Sequence, residues 1–534
     1  MYLDTVWTPT ISGPSSNGSD NALIINGVYN MDSDVSLSDI TIMPEASIGV
    51  GTGQTLTAEN ITLNSNSTEY SSIIVDGTLS VSGDIIYKRH VNAFNNGNPG
   101  GNDLISAPVV GQTFGDFAAA NPNIYENPTA GLSSQKLFGP FNKDDDWYQI
   151  YDSSADAAVT LDSGIGYRAA RDASEDGDPA ITTFTFTGSV NTGPINIGIQ
   201  YQGAIYPEWN LIGNPYPSYI KLDDFLTANN DFLDTNSAGI YGYNGNSNGW
   251  EIWNSAYSLD NPGTLITPGQ GFLVASKAEG ATVSFTSGMR SIGNTDDFIA
   301  NKNTSISHLK LEVTNSSEMY ATDFYFTDNA SLGLDPGYDA SVFGDIAPNF
   351  AIYSQLVNDN QGIDMAIQSL SNTDISNNVI IPLGINANQG QQLTVSIVDT
   401  TLPENTNVYL EDNVANTFTL LNTDDFIFTP DTNLNDVGRF FLRFETETLS
   451  VIENELNELV IYNTISPKVL HVKGQLTDLA TLYLYDIHGR TILTEKLKSN
   501  TNSQQIDISN ISTGVYIAKI DSYNMSLSKK IIIQ

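Results

Sequence analysis

Short runs of alternating apolar and polar residues, each closed by Gly, Asn, Asp or Ser, recur along the whole chain. A two-residue period is that of a half-buried strand, and few stretches keep the 3.6-residue period of a helix. The pattern therefore predicts an all-β protein. Between about Asn21 and Tyr87 the runs are short and irregularly spaced, as in ALIINGVYN, VSLSDITIM, QTLTAENITLN and SSIIVDGTLSVSGDI. They suit the stacked coils of a small β-solenoid over residues 1–90, with an ordinary antiparallel sandwich as the alternative. From His308 to about Glu445, strand-length runs such as LKLEVT, ATDFYFTD, VIIPLGI and GRFFLRF come at the spacing of a β-sandwich, assigned to residues 305–446.

Residues 91–298 carry an internal repeat, with copies at about 102–190 and 208–290. Asp103-Leu104-Ile105-Ser106 recurs as Asn210-Leu211-Ile212-Gly213, and Asp116-Phe117 as Asp224-Phe225. Trp147 recurs as Trp250, Gly164 and Gly166 as Gly269 and Gly271, and Phe184-Thr185-Phe186 as Val283-Ser284-Phe285. The order is kept throughout. Two copies of one β unit are expected to form a pseudo-symmetric pair that shares a core.

The last segment, 456–534, reads NELVIYNTISPKVLHVKG, TLYLYDIHGRTILTEKL, QQIDISNISTGVYIAKI and LSKKIIIQ, again with strand-type alternation. Leu484, Tyr485, Asp486, Gly489 and Arg490, then Ile506, Asp507, Ile508, Gly514, Val515 and Tyr516, then Lys529, Lys530 and the terminal isoleucines carry a resemblance. Their order is similar to that of the type A C-terminal sorting domain of type IX secretion cargo from Bacteroidetes. Where that family often opens with Tyr-Pro-Asn-Pro, this chain has Tyr462-Asn463-Thr464-Ile465-Ser466-Pro467. The resemblance implies a small Ig-like β-sandwich, recognition by the type IX machinery, and export through the periplasm and outer membrane to the cell surface or the exterior. Asp486 with Gly489 is expected to build a turn, and Gly514 the sharp entry to the next strand. The IYKRH element at Ile86–His90, the EWNLIGNPYPS segment and the sandwich at 305–446 also resemble modules found ahead of such tails in Bacteroidetes surface proteins.

Charge draws the same boundary. The chain of 534 residues has 61 acidic and 21 basic side chains, a net charge of −40. From Val451 onward eight acids face eight bases, so the body carries the whole excess. With no basic stripe to displace counterions, nucleic acid is excluded as a partner, and an anionic membrane surface is disfavoured. No apolar stretch has the length of a membrane span. Absence of Cys removes disulfides and thiolate metal sites. Met1–Trp7 has neither the basic region nor the apolar core of a signal peptide, so the chain is expected to be part of a longer precursor.

Catalytic signatures are scarce. The four His residues, His90, His308, His471 and His488, form no HExxH pair, and no GxSxG elbow occurs. Asp172, Asp176 and Asp178 alternate as calcium-loop ligands do, with Gly177 sixth in the loop. Thr183 stands where an EF-hand needs its closing Glu. A looser calcium turn and an unmetallated acidic hairpin both remain open. Trp147, Trp250 and Trp253 are candidates for a sugar-stacking platform, although their repeat-equivalent positions favour core or inter-repeat packing. The sequence thus supports an exported, non-catalytic β-modular protein with an adhesin-like, binding or spacer role. Its alternative is the accessory C-terminal half of a secreted polysaccharide- or protein-degrading hydrolase. The ligand class open to the first reading is an extracellular glycan or protein.

Overall fold

The computed structural model describes residues 2–3, 6–7, 18–94, 102–172, 182–244, 249–294, 296, 306–375, 379–446, 460–465, 468–473, 480–486, 490–499, 503–522 and 525–533. With 51% of residues in strands and 6% in helices, the protein is all-β. Contacts divide it into two compact units, Met1–Thr446 and Glu447–Gln534.

From Ala22 to His90 the chain runs through three sheets in which every strand pairs with its neighbour in parallel. Inward residues stand in register from strand to strand. Ala22, Ile40, Ile61 and Ile85 form one row, and Ile24, Ile42, Leu63 and Tyr87 the next. Tyr29, Ile48 and Ile73 form a row on the second face, and Val35, Leu56 and Leu79 on the third. Such rows bury the alternate residues that the period of two selects. The last strand, Ile85–His90, then pairs antiparallel with Thr183–Gly188. One apolar core accordingly runs from Ile24 and Ile42 through Phe114, Phe117, Phe138 and Phe184, across the expected boundary at residue 90.

The two halves of residues 102–290 repeat the same backbone geometry. Asp103–Ser106 pairs antiparallel with Gly166–Ala169, setting Ser106 opposite Gly166 and Ile105 opposite Tyr167. Trp209–Gly213 pairs with Gly271–Ala275, setting Gly213 opposite Gly271 and Ile212 opposite Phe272. A short helix follows in each half, Phe114–Ala120 and Leu222–Asn229. At its end Asn121 bonds Phe117 O (2.8 Å) and both backbone groups of Thr185, as Asn229 bonds Phe225 O (2.8 Å) and both backbone groups of Ser284.

The halves meet in a reciprocal backbone seam. Ser106 N donates to Gly269 O at 2.8 Å, and Gly213 N donates to Gly164 O at 3.0 Å. Gly164 and Gly269 both have positive φ, 78° and 65°, a conformation that costs a residue with a Cβ. Beside them, a Cβ on Gly166 would fall 2.6 Å from Leu211, and one on Gly271 would fall 2.6 Å from the backbone nitrogen of Ile105. The matched contacts on both sides are those of an isologous, two-fold pairing. Arg89 of the IYKRH element is fully buried against Gly269 and lies over the Tyr70 ring at 5.2 Å.

Residues from Ser307 to Thr446 form a single mostly antiparallel sheet folded over one core. Phe326 meets Phe444 at 5.2 Å although three strands lie between theirs in the sheet order. Tyr325, Ala340 and Ile367 leave that core and pack with the second repeat half instead. The tail is a strand-rich unit with its own core, including Leu470, Leu482, Leu484, Ile506, Ala518 and Ile520.

Two outcomes follow. Gly271→Ala is expected to lower unfolding free energy by about 1–3 kcal/mol, because the added methyl meets backbone that cannot turn aside. Gly198→Ala, in a strand with open space around it, should be neutral or stabilising. Urea unfolding followed by tryptophan fluorescence checks both. Asn121→Ala and Asn229→Ala should each cost on the order of 2–4 kcal/mol and by similar amounts, since each strands the same set of buried backbone groups. Unequal costs in calorimetry would show that the two halves do not bear equivalent loads.

Candidate functional site

The hairpin formed by Phe141–Asn142 and Trp147–Tyr148 and the strand Gly249–Trp253 bring the repeat-related tryptophans to one place. An apolar cleft of about 240 Å³ is lined by Phe141, Trp147, Tyr148, Tyr206, Tyr243, Trp250 and Phe343, with Asn102, Leu104 and Arg168 beside them. Trp147 is 60% exposed, and Trp250 stacks on Phe343 at 4.6 Å. Arg168 Nε donates to Asn102 Oδ1 at 3.2 Å, and its guanidinium lies over the Tyr148 ring at 5.2 Å. Burial pushes the Tyr148 hydroxyl up to about 12, so the ring under the guanidinium stays neutral. The cleft pairs flat aromatic faces with a fixed donor, which is the composition of a small-molecule site.

Trp253 is not part of this platform. It is 2% exposed and stacked on Tyr257 in the core. Trp250 and Trp253 are three residues apart on one strand, so their side chains leave opposite faces. The acidic run Asn142–Asp146 also has a structural use. Lys143 Nζ donates to the carbonyl of Pro207 at 2.9 Å, and Asp146 accepts from the backbone N–H of Ile205 at 2.6 Å. Of the calcium candidates, Asp176 and Asp178 lie outside the described residues, and Asp172 donates its backbone N–H to Asn123 O at 2.8 Å. Asp335–Asp339 is a tight turn in which Asp339 accepts from the backbone N–H of Asp335 at 2.7 Å.

A second cavity, of about 330 Å³, shares the Trp250 and Phe343 walls and was not anticipated from the sequence. Along Ser307–Thr314, Leu309, Leu311 and Val313 enter the core while His308, Lys310 and Glu312 line this cavity. The facing strand Met319–Phe326 divides likewise, with Phe324 and Phe326 inward and Asp323 and Tyr325 toward the cavity. His308 Nε2 lies 2.8 Å from Asp323 Oδ1, and Lys310 Nζ lies 3.6 Å from Asp323 Oδ2. Burial disfavours the charged form of Asp323, but Lys310 and His308 together outweigh it and hold the carboxyl below the usual carboxylate range. Burial pushes the Asp260 carboxyl up, against the opposing pull of His308. Among the described residues no group of three or more His, Asp or Glu converges as a metal site.

In the tail, five of the sorting-signal residues converge. Asp486, Arg490, Gly514, Val515 and Tyr516 line one open cleft of about 520 Å³ with Ile492, Asn510, Ile511 and Ser512. Asp486 accepts from Arg490 Nε at 2.7 Å and from its backbone N–H at 3.0 Å, closing the turn. Gly489 lies outside the described residues. Gly514 does not carry the positive φ of a sharp turn. Its missing side chain instead leaves room for the Tyr516 ring, whose hydroxyl donates to Ser512 O at 2.9 Å. Tyr485 pairs with Ile517 on the neighbouring strand. Lys529 and Lys530 stand exposed on the last strand, Met525–Ile533, which lies at the sheet edge.

The tail, residues 462–534, matches the family described as Secretion system C-terminal sorting domain. It marks the protein as type IX secretion cargo of the Bacteroidetes kind, which meets the secretion machinery and is exported to the cell surface or extracellular space. No helix among the described residues is long and apolar enough to cross a membrane. A solved chain described as "Biofilm associated protein - BSP domain" is similar at 10% identity, over 84% of this chain and 96% of that one. Its TM-score is 0.13, too low to bear on fold or role. No curated protein matches. Residues 5–444 match the family described as Domain of unknown function (DUF8693), and the chain belongs to that family.

Proposed function

We propose that the protein is a non-catalytic binding module of the adhesin type, displayed outside the cell, whose aromatic cleft takes an extracellular glycan. The observation that carries this reading is the pairing of an exposed Trp147 with the Trp250–Phe343 stack around one cleft, with Arg168 held at its side by Asn102. An exposed indole at the rim of an apolar cleft leaves a flat face for a ligand to cover. The apolar face of a pyranose covers it, and the hydroxyls at the ring edge accept from the guanidinium. The strongly acidic body supports the same reading by favouring a neutral ligand over an anionic one and by keeping the displayed body soluble.

Trp147→Ala is expected to weaken binding of β-linked gluco-, manno- or N-acetylglucosamine oligosaccharides at least tenfold, about 1.4 kcal/mol, with an unchanged thermal midpoint. Tryptophan fluorescence titration of that panel reads the effect. Equal affinity in the variant, or no quenching by any member, overturns the glycan reading. Export is tested by fusing residues 447–534 behind a periplasmic signal and a fluorescent reporter in a bacterium with type IX secretion. The reporter should reach the medium or surface with the intact tail and stay in the periplasm when Gly514–Gln534 is removed.

A further inference from the structure

We infer that the cavity lined by Asp260, His308 and Asp323 is a second binding site, for an organic cation: an ammonium or guanidinium group. The sign of its charge comes first. The lining holds the carboxylates Glu251, Asp260, Glu312, Asp323 and Asp399 against one lysine, Lys310, and one histidine, His308. Both of those basic groups are engaged with Asp323, His308 at 2.8 Å and Lys310 at 3.6 Å. His308 is further fixed by the Tyr325 ring stacked on it at 4.5 Å. Its other nitrogen is 3.9 Å from Asp260 and 4.0 Å from Asp399, beyond hydrogen-bond reach of either.

Asp260 supplies the independent sign of a missing partner. Its side chain is 5% exposed; the backbone N–H of Ile306 donates to the carboxyl, yet Oδ1 has no hydrogen-bond donor among the described residues. A buried carboxylate oxygen left without a donor costs a full desolvation penalty, and native structures rarely leave one so. A ligand N–H is the donor that this oxygen lacks. The rest of the wall suits the same ligand, since Trp250, Phe343 and Tyr320 line the cavity, and aromatic rings attract cations. A volume of about 330 Å³ admits an arginine-sized group with room to spare. This site does not rest on the glycan reading, because Trp147 lines only the other cleft.

The experiment is calorimetric titration of the full chain at about 0.15 M salt, which screens the attraction of the acidic body for any cation. The probes are agmatine, an acetyl-Gly-Arg-Gly-amide peptide, and the same peptide with neutral citrulline in place of arginine. The cationic probes should bind and citrulline should bind at least tenfold more weakly. Asp260→Asn should weaken the cations at least tenfold, while Trp147→Ala and the exposed Asp424→Asn should leave them unchanged. Equal binding of agmatine and peptide identifies a free amine as sufficient, and tighter binding of the peptide identifies a side chain presented by a partner protein. The inference fails if citrulline binds as well as arginine, if Asp424→Asn matches Asp260→Asn, or if neither cation gives heat up to about 10 mM. Should Asp260→Asn lower the thermal midpoint sharply, Asp399→Asn at the more exposed rim makes the same comparison.

Discussion

The body is organised around a place where two stretches of backbone touch without side chains between them. Ser106 to Gly269 and Gly213 to Gly164 are one hydrogen bond written twice, related by the two-fold of the repeat. They form only because Gly166 and Gly271 let opposing strands approach closer than a Cβ permits. Everything around the seam inherits its position from it. The first half carries the parallel sheets of residues 22–90 through the pairing of Ile85–His90 with Thr183–Gly188. The second half carries the large sheet through a shared apolar cluster that includes Tyr241, Tyr325 and Ile367. The tryptophan cleft, drawn from both halves and from Phe343, exists because the seam fixes the halves against each other.

Much of this was legible in the chain, and for definite reasons. Glycines at 164, 166, 269 and 271 stand out because a strand end gains nothing from glycine unless its φ or its neighbour demands one. Asn121 and Asn229 stand at the same distance after Asp116-Phe117 and Asp224-Phe225, but the short helices that they close keep no long 3.6-residue period, so the strand-type pattern hid them. Trp250 and Trp253 could have been separated by parity alone, since an odd spacing sends side chains to opposite faces of a strand.

The charged cavity was hidden for a different reason. His308, Lys310 and Glu312 do alternate with core residues, but a polar strand face reads first as solvent-exposed. Its conversion into a cavity needs Trp250–Asn261 and Val342–Phe343 to close over it, and those segments are distant in sequence. Boundaries were misplaced on the same account. Residue 90 falls inside a continuous core, because a strand on either side of it belongs to one sheet. The boundary between body and tail was visible because composition changes there as well as pattern.

The strand Leu434–Thr446 is the last of the body and the longest among the described residues, and it is flanked by ladders on both sides, to Ile380–Ala387 and to Thr406–Asp412. The chain leaves the body for the tail at Thr446, the end of that strand. A pull applied at Thr446 along that strand would load both hydrogen-bond ladders in shear, so their bonds would fail together instead of unzipping one by one.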